Sequence, residues 1–125
     1  MENESVLKII KKAKQDKQII AVALFGSSLR GKGRDIDICI FLDKKYSNLE
    51  MSKKRLEFLN GLSDEIDLQI FQQLPIYIRI RIIKEGKILF CKNLDHIYKI
   101  AIYTKQEFDF FKKAYYMYLN AIKNG

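Results

Sequence analysis

The feature that most constrains this chain is the segment at residues 24–40, LFGSSLRGKGRDIDICI, in which a Gly-Ser turn separates two apolar runs. Side chains two residues apart in a β-strand project from the same face. A strand over residues 35–42 would therefore place the carboxylates of Asp35 and Asp37 side by side. The isoleucines between and after them, Ile36, Ile38 and Ile40, would point the other way into a core. The segment thus predicts two strands joined by a turn, with paired carboxylates where the second strand begins.

The same segment predicts a site for a metal ion and a triphosphate. Two adjacent carboxylates repel each other unless a cation lies between them, and their hard oxygen atoms favour Mg²⁺ or Mn²⁺. Glycine allows the backbone to approach a ligand closely, so free N–H groups of the Gly26-Ser27 turn would face a phosphate. The loop that follows carries Arg30, Lys32 and Arg34, which either contact phosphates or only keep the loop solvated.

A third carboxylate is expected on a neighbouring strand. Polar and apolar residues alternate over residues 65–71, which predicts a strand with Asp67 on its polar face. In-line attack on a phosphorus atom needs charge neutralised on both the attacking and the leaving oxygen, as two metal ions can provide. Asp67 would help to hold the second ion or act as general base. The alternative for these aspartates is a structural turn with solvent-facing carboxylates.

These motifs together resemble a known family. The Gly-Ser turn, the short basic loop and the Asp-x-Asp pair are similar to those of the minimal nucleotidyltransferases of the polymerase-β-like superfamily. DEIDLQIF at residues 64–71 resembles the next strand of that family, and IIKEGKILF at residues 82–90 resembles its end piece. The resemblance covers roughly residues 20–92. The chain departs from the family in its loop of seven residues at 28–34, which is shorter than usual, and in Arg34, which replaces a common serine.

The resemblance implies a Mg²⁺-dependent enzyme, with one or two ions and Mn²⁺ as a substitute, that transfers AMP from ATP to an acceptor hydroxyl. The implied catalytic and metal-binding residues are Asp35, Asp37 and Asp67, and the implied nucleotide-binding residues are Gly26, Ser27 and Arg30. It also implies an antitoxin whose acceptor is a tyrosine of a HEPN-type toxin. Because the loop is short, a catalytically weak or inactive chain that neutralises its partner by binding alone stays open as an alternative.

Composition agrees with one nucleotidyltransferase domain over residues 1–125, since a hydrophobic fraction of 48% suffices for a core. No apolar run approaches the about 20 residues of a membrane helix, so no membrane association and a cytoplasmic location are expected. The net charge of +8 suits an anionic partner, which leaves a basic nucleic-acid-binding module as a weaker alternative. A solvated helix face is the simpler explanation of the N-terminal lysines.

Periodicity predicts an α+β fold, in which a small mixed β-sheet carries helices mainly on one face. Strands are expected at residues 19–25, 35–42, 65–71 and 87–91, and helices at about 4–17, 49–62, 75–84 and 95–123. A short helical turn is expected after Gly26. Residues 75–84 suit a strand equally well, and here the family resemblance favours a helix. The last helix could be interrupted near Thr104.

The C-terminal segment from about residue 95 is rich in aromatic residues. Helical spacing places them on two apolar stripes, Phe108, Phe111, Tyr115, Tyr118 and Ile122 on one and Tyr103, Phe110, Ala114, Met117 and Ala121 on the other. Only one stripe of a helix can face the sheet. The second either binds a partner or another copy of the chain in a homodimer, or both stripes belong to one small core.

Overall fold

The computed structural model of the protein describes residues 3–26 and 35–124. Its elements, in chain order, are α1 Glu4–Gln15, β1 Ile19–Phe25, β2 Ile36–Leu42, α2 Asn48–Leu59, β3 Ile66–Ile70, α3 Ile76–Glu85, β4 Lys87–Cys91 and α4 Leu94–Asn124. A 3₁₀ turn, Phe71–Gln73, follows β3. All four strands lie within one residue of the predicted bounds. The helical turn expected after Gly26 lies outside the described residues.

The four strands form a mixed sheet in the order β3-β2-β1-β4. Strand β1 is antiparallel to both β2 and β4, whereas β2 and β3 are parallel. Helix α2 connects the parallel pair, as expected because parallel strands need a crossover connection. The end of β1 and the beginnings of β2 and β3 consequently meet at one edge of the sheet. The α+β class and the mixed sheet are confirmed.

Apolar residues on both faces of the sheet are buried. On one face, Ile38 and Ile40 pack in a cluster with residues of α1 and α2. On the other face, Cys39 and Phe41 pack in a cluster that includes Ile82 of α3 and Ile97 of α4. The expectation that helices lie mainly on one face is therefore wrong. The physical reason is that strands apolar on both sides need a helical layer on each side.

The ambiguous segment after Pro75 is a helix. Pro75 has a φ of −60°, which suits the entry to a helix, and its carbonyl accepts hydrogen bonds from the backbone N–H groups of Ile78 and Arg79 at 3.1 and 3.0 Å. Burial of Ile80 and Ile82 attaches the helix to the rest of the core. The alternating isoleucines are thus helical because of their tertiary contacts, although isoleucine has a high β-propensity.

Helix α4 runs for 31 residues, and an interruption near Thr104 does not occur. The Thr104 side chain is buried, and its hydroxyl donates a hydrogen bond of 2.7 Å to the carbonyl of Ile100 in the preceding turn. Such a bond satisfies a buried hydroxyl inside an intact helix. No helix in the described part of the chain is both long and apolar enough to cross a membrane.

From residue 109 onward every described residue of α4 is exposed. The large apolar side chains among them include Phe110, Tyr115, Tyr118 and Ile122, which are 74%, 51%, 62% and 60% exposed. Both predicted stripes are therefore open to solvent along this half, and the interpretation that both belong to the core is wrong here. We call residues 109–124 the distal half of α4.

Candidate functional site

Three aspartates lie where β2 and β3 begin. Asp35 is exposed immediately before β2, and Asp37 is half-buried within it. Asp37 is the register partner of Asp67 in the parallel pair of strands. Neighbouring strands are about 4.8 Å apart, so the two side chains emerge side by side on the face that Cys39 and Phe41 share. The sheet thus brings Asp37 and Asp67 together, as the alternation in the sequence predicts.

Gly26 directly follows the last residue of β1 and lies close to Asp37. Its φ is +67°, and a Cβ atom built there would lie 2.5 Å from Oδ2 of Asp37. Only glycine combines this backbone conformation with so close an approach to the carboxylate. The sequence predicts Gly26 as a residue that lets the backbone approach a phosphate, and the structure adds a contact with Asp37. The other two expected nucleotide ligands, Ser27 and Arg30, lie outside the described residues.

Gln69 is a neighbour of Asp67 that the sequence analysis missed. Its Nε2 donates a hydrogen bond of 2.9 Å to Oδ1 of Asp67. This bond orients the carboxylate through Oδ1, and among the residues that the structure describes no hydrogen bond is made by Oδ2. The signal was present in the sequence, since residues two apart on a strand share a face. Gln69 therefore belongs to the candidate site as a residue that positions Asp67.

The donor set fits a hard cation. Carboxylate oxygens are preferred ligands of Mg²⁺, which usually binds one or two protein carboxylates and takes its remaining oxygens from water and substrate phosphates. Among residues 3–26 and 35–124, no group of three His, Cys, Asp or Glu side chains is arranged to hold a metal ion by itself. The residues that would hold it are Asp35 and Asp37, with Asp67 beside them.

The fold is that of a nucleotidyltransferase domain. The chain belongs to the Polymerase beta, Nucleotidyltransferase family, whose sequence profile matches residues 7–95. A relative in Methanocaldococcus jannaschii, named "Putative protein adenylyltransferase MJ1547", is 34% identical over 89 residues. That alignment spans 66% of this chain and 66% of the relative, so it covers about two thirds of each protein.

Solved structures show the same fold. A chain of the toxin–antitoxin complex MntA–HpeT has a TM-score of 0.71 with 14% identity, and the match covers 98% of both chains. A chain of the complex between the tri-AMPylated HEPN toxin of Shewanella oneidensis and its MNT antitoxin has a TM-score of 0.65 with 16% identity. The second match covers 94% of this chain and 92% of that chain. Both matches include the greater part of α4.

Proposed function

We propose that this protein is a Mg²⁺-dependent adenylyltransferase that moves AMP from ATP to a tyrosine hydroxyl of a HEPN-type toxin and thereby acts as an antitoxin. The observation that carries the proposal is the register of Asp37 with Asp67 beside Gly26. The relative named as a protein adenylyltransferase and the fold shared with toxin–antitoxin proteins support it. Family membership supports nucleotidyl transfer in general, and the name of the adenylyltransferase relative supports a protein as the acceptor.

In the proposed reaction, the acceptor oxygen attacks the α-phosphorus of ATP. A new bond forms between that oxygen and phosphorus, the bond from the α-phosphorus to the bridging oxygen breaks, and pyrophosphate leaves with the negative charge. Asp35 and Asp37 would hold the nucleotide–metal complex at the sheet edge. The chemistry that Mg²⁺ would supply there is neutralisation of charge on the phosphates.

Asp67 acts on the acceptor. With Oδ1 engaged by Gln69, Oδ2 would accept the proton of the acceptor hydroxyl; if Oδ2 bound a second ion instead, that proton would pass to water. Gly26 keeps the end of β1 close to Asp37 without a side chain between them. Ser27 and Arg30 would contact the triphosphate, as the family resemblance implies.

The loop at residues 28–34 favours a second candidate function. With seven residues it is shorter than the family's usual loop, and a shorter loop covers less of a triphosphate. In this alternative the chain neutralises a HEPN-type toxin by binding without transfer. The distal half of α4 would serve either function as a contact surface, because it is exposed and apolar.

One experiment separates the two functions. The full chain is incubated with ATP, Mg²⁺ and a HEPN-type toxin, and the intact mass of the toxin is measured together with co-elution. We expect the toxin to gain one or more AMP units. Asp35→Asn and Asp37→Asn should abolish the gain and most Mg²⁺-dependent ATP binding, and Asp67→Asn should spare ATP binding while slowing transfer.

The matched control is Asp64→Asn, which changes an exposed carboxylate outside the site. Co-elution without any mass gain would favour the binding-only function. An unchanged transfer rate in both Asp35→Asn and Asp37→Asn would contradict the assignment of the site.

A further inference from the structure

A cavity lies at the edge of the sheet opposite the candidate active site. Its volume is about 390 Å³, and it is formed by the segment after β2, the 3₁₀ turn after β3, and helices α3 and α4. The candidate active site lies where β2 begins, whereas this cavity lies beyond the end of the same strand. Because β2 has seven residues that each rise about 3.3 Å, the two sites are roughly 20 Å apart. We call it the basal cavity.

The floor of the basal cavity is apolar and firmly held. Phe71 is buried there and stacks on Phe41 of β2, with ring centroids 4.3 Å apart. The next residue, Gln72, binds the backbone of Leu42 twice, since its Oε1 accepts from the Leu42 N–H at 3.1 Å and its Nε2 donates to the carbonyl at 2.8 Å. Phe71 therefore closes the base of the cavity, and Ile100 and Tyr103 of α4 provide the apolar surface against which a flat group can pack.

In the wall of the basal cavity that α3 and α4 form, the charges of Arg79 and Glu107 compensate each other. The Nε of Arg79 donates to the carbonyl of Leu74 at 2.9 Å, and its two terminal nitrogens donate to the carboxylate of Glu107 at 3.1 and 2.6 Å. In the segment after β2, the carboxylate of Asp43 accepts a 2.6 Å hydrogen bond from the hydroxyl of Tyr46. Arg79 therefore compensates the charge of Glu107, whereas the neutral Tyr46 hydroxyl leaves Asp43 with its negative charge.

The remaining cations of the cavity outnumber its remaining carboxylate charge, that of Asp43. Lys44, Lys45 and Lys99 line it, and in the described part of the chain none of them forms an ion pair. Lys44 lies over the ring of Tyr46 at 5.2 Å, a contact that keeps its positive charge. Three ammonium groups therefore line the cavity with the single Asp43 carboxylate to offset them, which leaves an excess of positive charge beside the apolar floor. An anion with an apolar ring matches this combination.

We propose that the basal cavity binds a small phosphorylated compound with a planar ring, of the nucleoside monophosphate class. The ring packs on the side of Phe71, Ile100 and Tyr103, and the phosphate lies among the lysine ammonium groups. The volume is within the range of about 300–1,000 Å³ that is typical of small-molecule sites. This binding goes beyond the proposed transfer reaction and does not depend on it, because no residue of the basal cavity belongs to the candidate active site.

The test uses AMP as probe, with the full chain, in EDTA to prevent metal-dependent binding at the aspartates. We expect calorimetry to show one AMP bound per chain, with an affinity unchanged in the Asp35→Asn/Asp37→Asn variant. Lys45→Glu/Lys99→Glu should weaken AMP binding at least tenfold while Mg²⁺-dependent transfer is retained. Inorganic phosphate should bind at least tenfold more weakly than AMP, because it cannot use the apolar floor.

The matched control is Lys11→Glu/Lys17→Glu, which alters net charge equally on exposed residues elsewhere. An equal loss of AMP affinity in this control would show binding to net charge and overturn the proposal. No AMP binding at millimolar concentration, or binding indifferent to Lys45→Glu/Lys99→Glu, would also overturn it. A short oligoribonucleotide that binds the same lysines more tightly than AMP would replace the small-molecule assignment with a nucleic-acid one.

Discussion

At the scale of single residues, Gly26 links the backbone to the candidate site. Its φ of +67° favours glycine, and the space a Cβ would need is taken by the Asp37 carboxylate. Gly26→Ala should lower the free energy of unfolding by about 1–2 kcal/mol through left-handed strain. It should also rotate the Asp37 carboxylate away and thereby abolish most Mg²⁺-dependent ATP binding. Denaturant unfolding and nucleotide titration measure the two effects separately.

Gly61 provides the control for this prediction. Its φ is +80°, yet a Cβ atom there would meet nothing within 4 Å. Gly61→Ala should therefore lose similar stability from backbone strain but keep ATP binding. If both variants retain ATP binding, the contact between Gly26 and Asp37 has no functional role.

At the scale of elements, the distal half of α4 exposes large apolar side chains, which indicates that it binds a partner. Tyr115 and Tyr118 are 51% and 62% exposed, although large aromatic side chains commonly contribute most at interfaces. Tyr115→Ala and Tyr118→Ala should weaken binding to a HEPN-type toxin more than tenfold, which corresponds to about 1.4 kcal/mol or more. Their melting temperatures should change little, since no core contact is lost. Calorimetry with the toxin and thermal unfolding check these expectations.

Tyr98 is the matched control, because it lies on the same helix before the distal half and is 57% exposed. Tyr98→Ala should leave toxin binding unchanged. Sedimentation of the chain alone over a range of concentrations shows whether the same surface forms a homodimer. The docking role would be refuted by wild-type affinity in both distal variants together with a monomer at all concentrations.

At the scale of the whole molecule, an ion pair joins α3 to α4. The hydrogen bonds from Arg79 hold the pKa of Glu107 below its usual value, with a smaller contribution from Lys45. A carboxylate with a lowered folded-state pKa adds stability above its unfolded pKa of about 4.3 and loses it as the pH falls through the folded value. Glu107→Gln should therefore reduce the free energy of unfolding at neutral pH. The loss should be at most about 1 kcal/mol, because Glu107 is 54% exposed to water.

Urea unfolding at about pH 7 and about pH 3 tests the sign, since the difference between wild type and Glu107→Gln should shrink at the lower pH. Glu85→Gln is the control, because Glu85 faces Arg81 within one helix at 3.8 Å and joins no two elements. The same loss of stability at both pH values would exclude the ion pair as its cause.

Much of the fold could be predicted because local sequence patterns specify the individual strands and helices. Apolar runs, alternation and the family resemblance predicted the strands to within one residue, and the polar face of residues 65–71 placed Asp67 beside Asp37. Gln69 lay in the same alternation, but its bond to Asp67 depends on a side-chain conformation that spacing does not specify. The distribution of helices was missed because periodicity shows that a helix has an apolar face and not which side of the sheet receives it.

The sequence by itself determined the order of strands and helices along the chain and the family. It also determined the presence of paired carboxylates after a glycine turn. Each of these depends on residues that are close together in the chain. Only the tertiary structure decided that helices cover both faces, that the distal half of α4 extends into solvent, and that Lys44, Lys45 and Lys99 meet around Phe71. These features arise from contacts between residues far apart in sequence. Which distant surfaces meet depends on how whole elements pack, and local periodicity does not encode that choice.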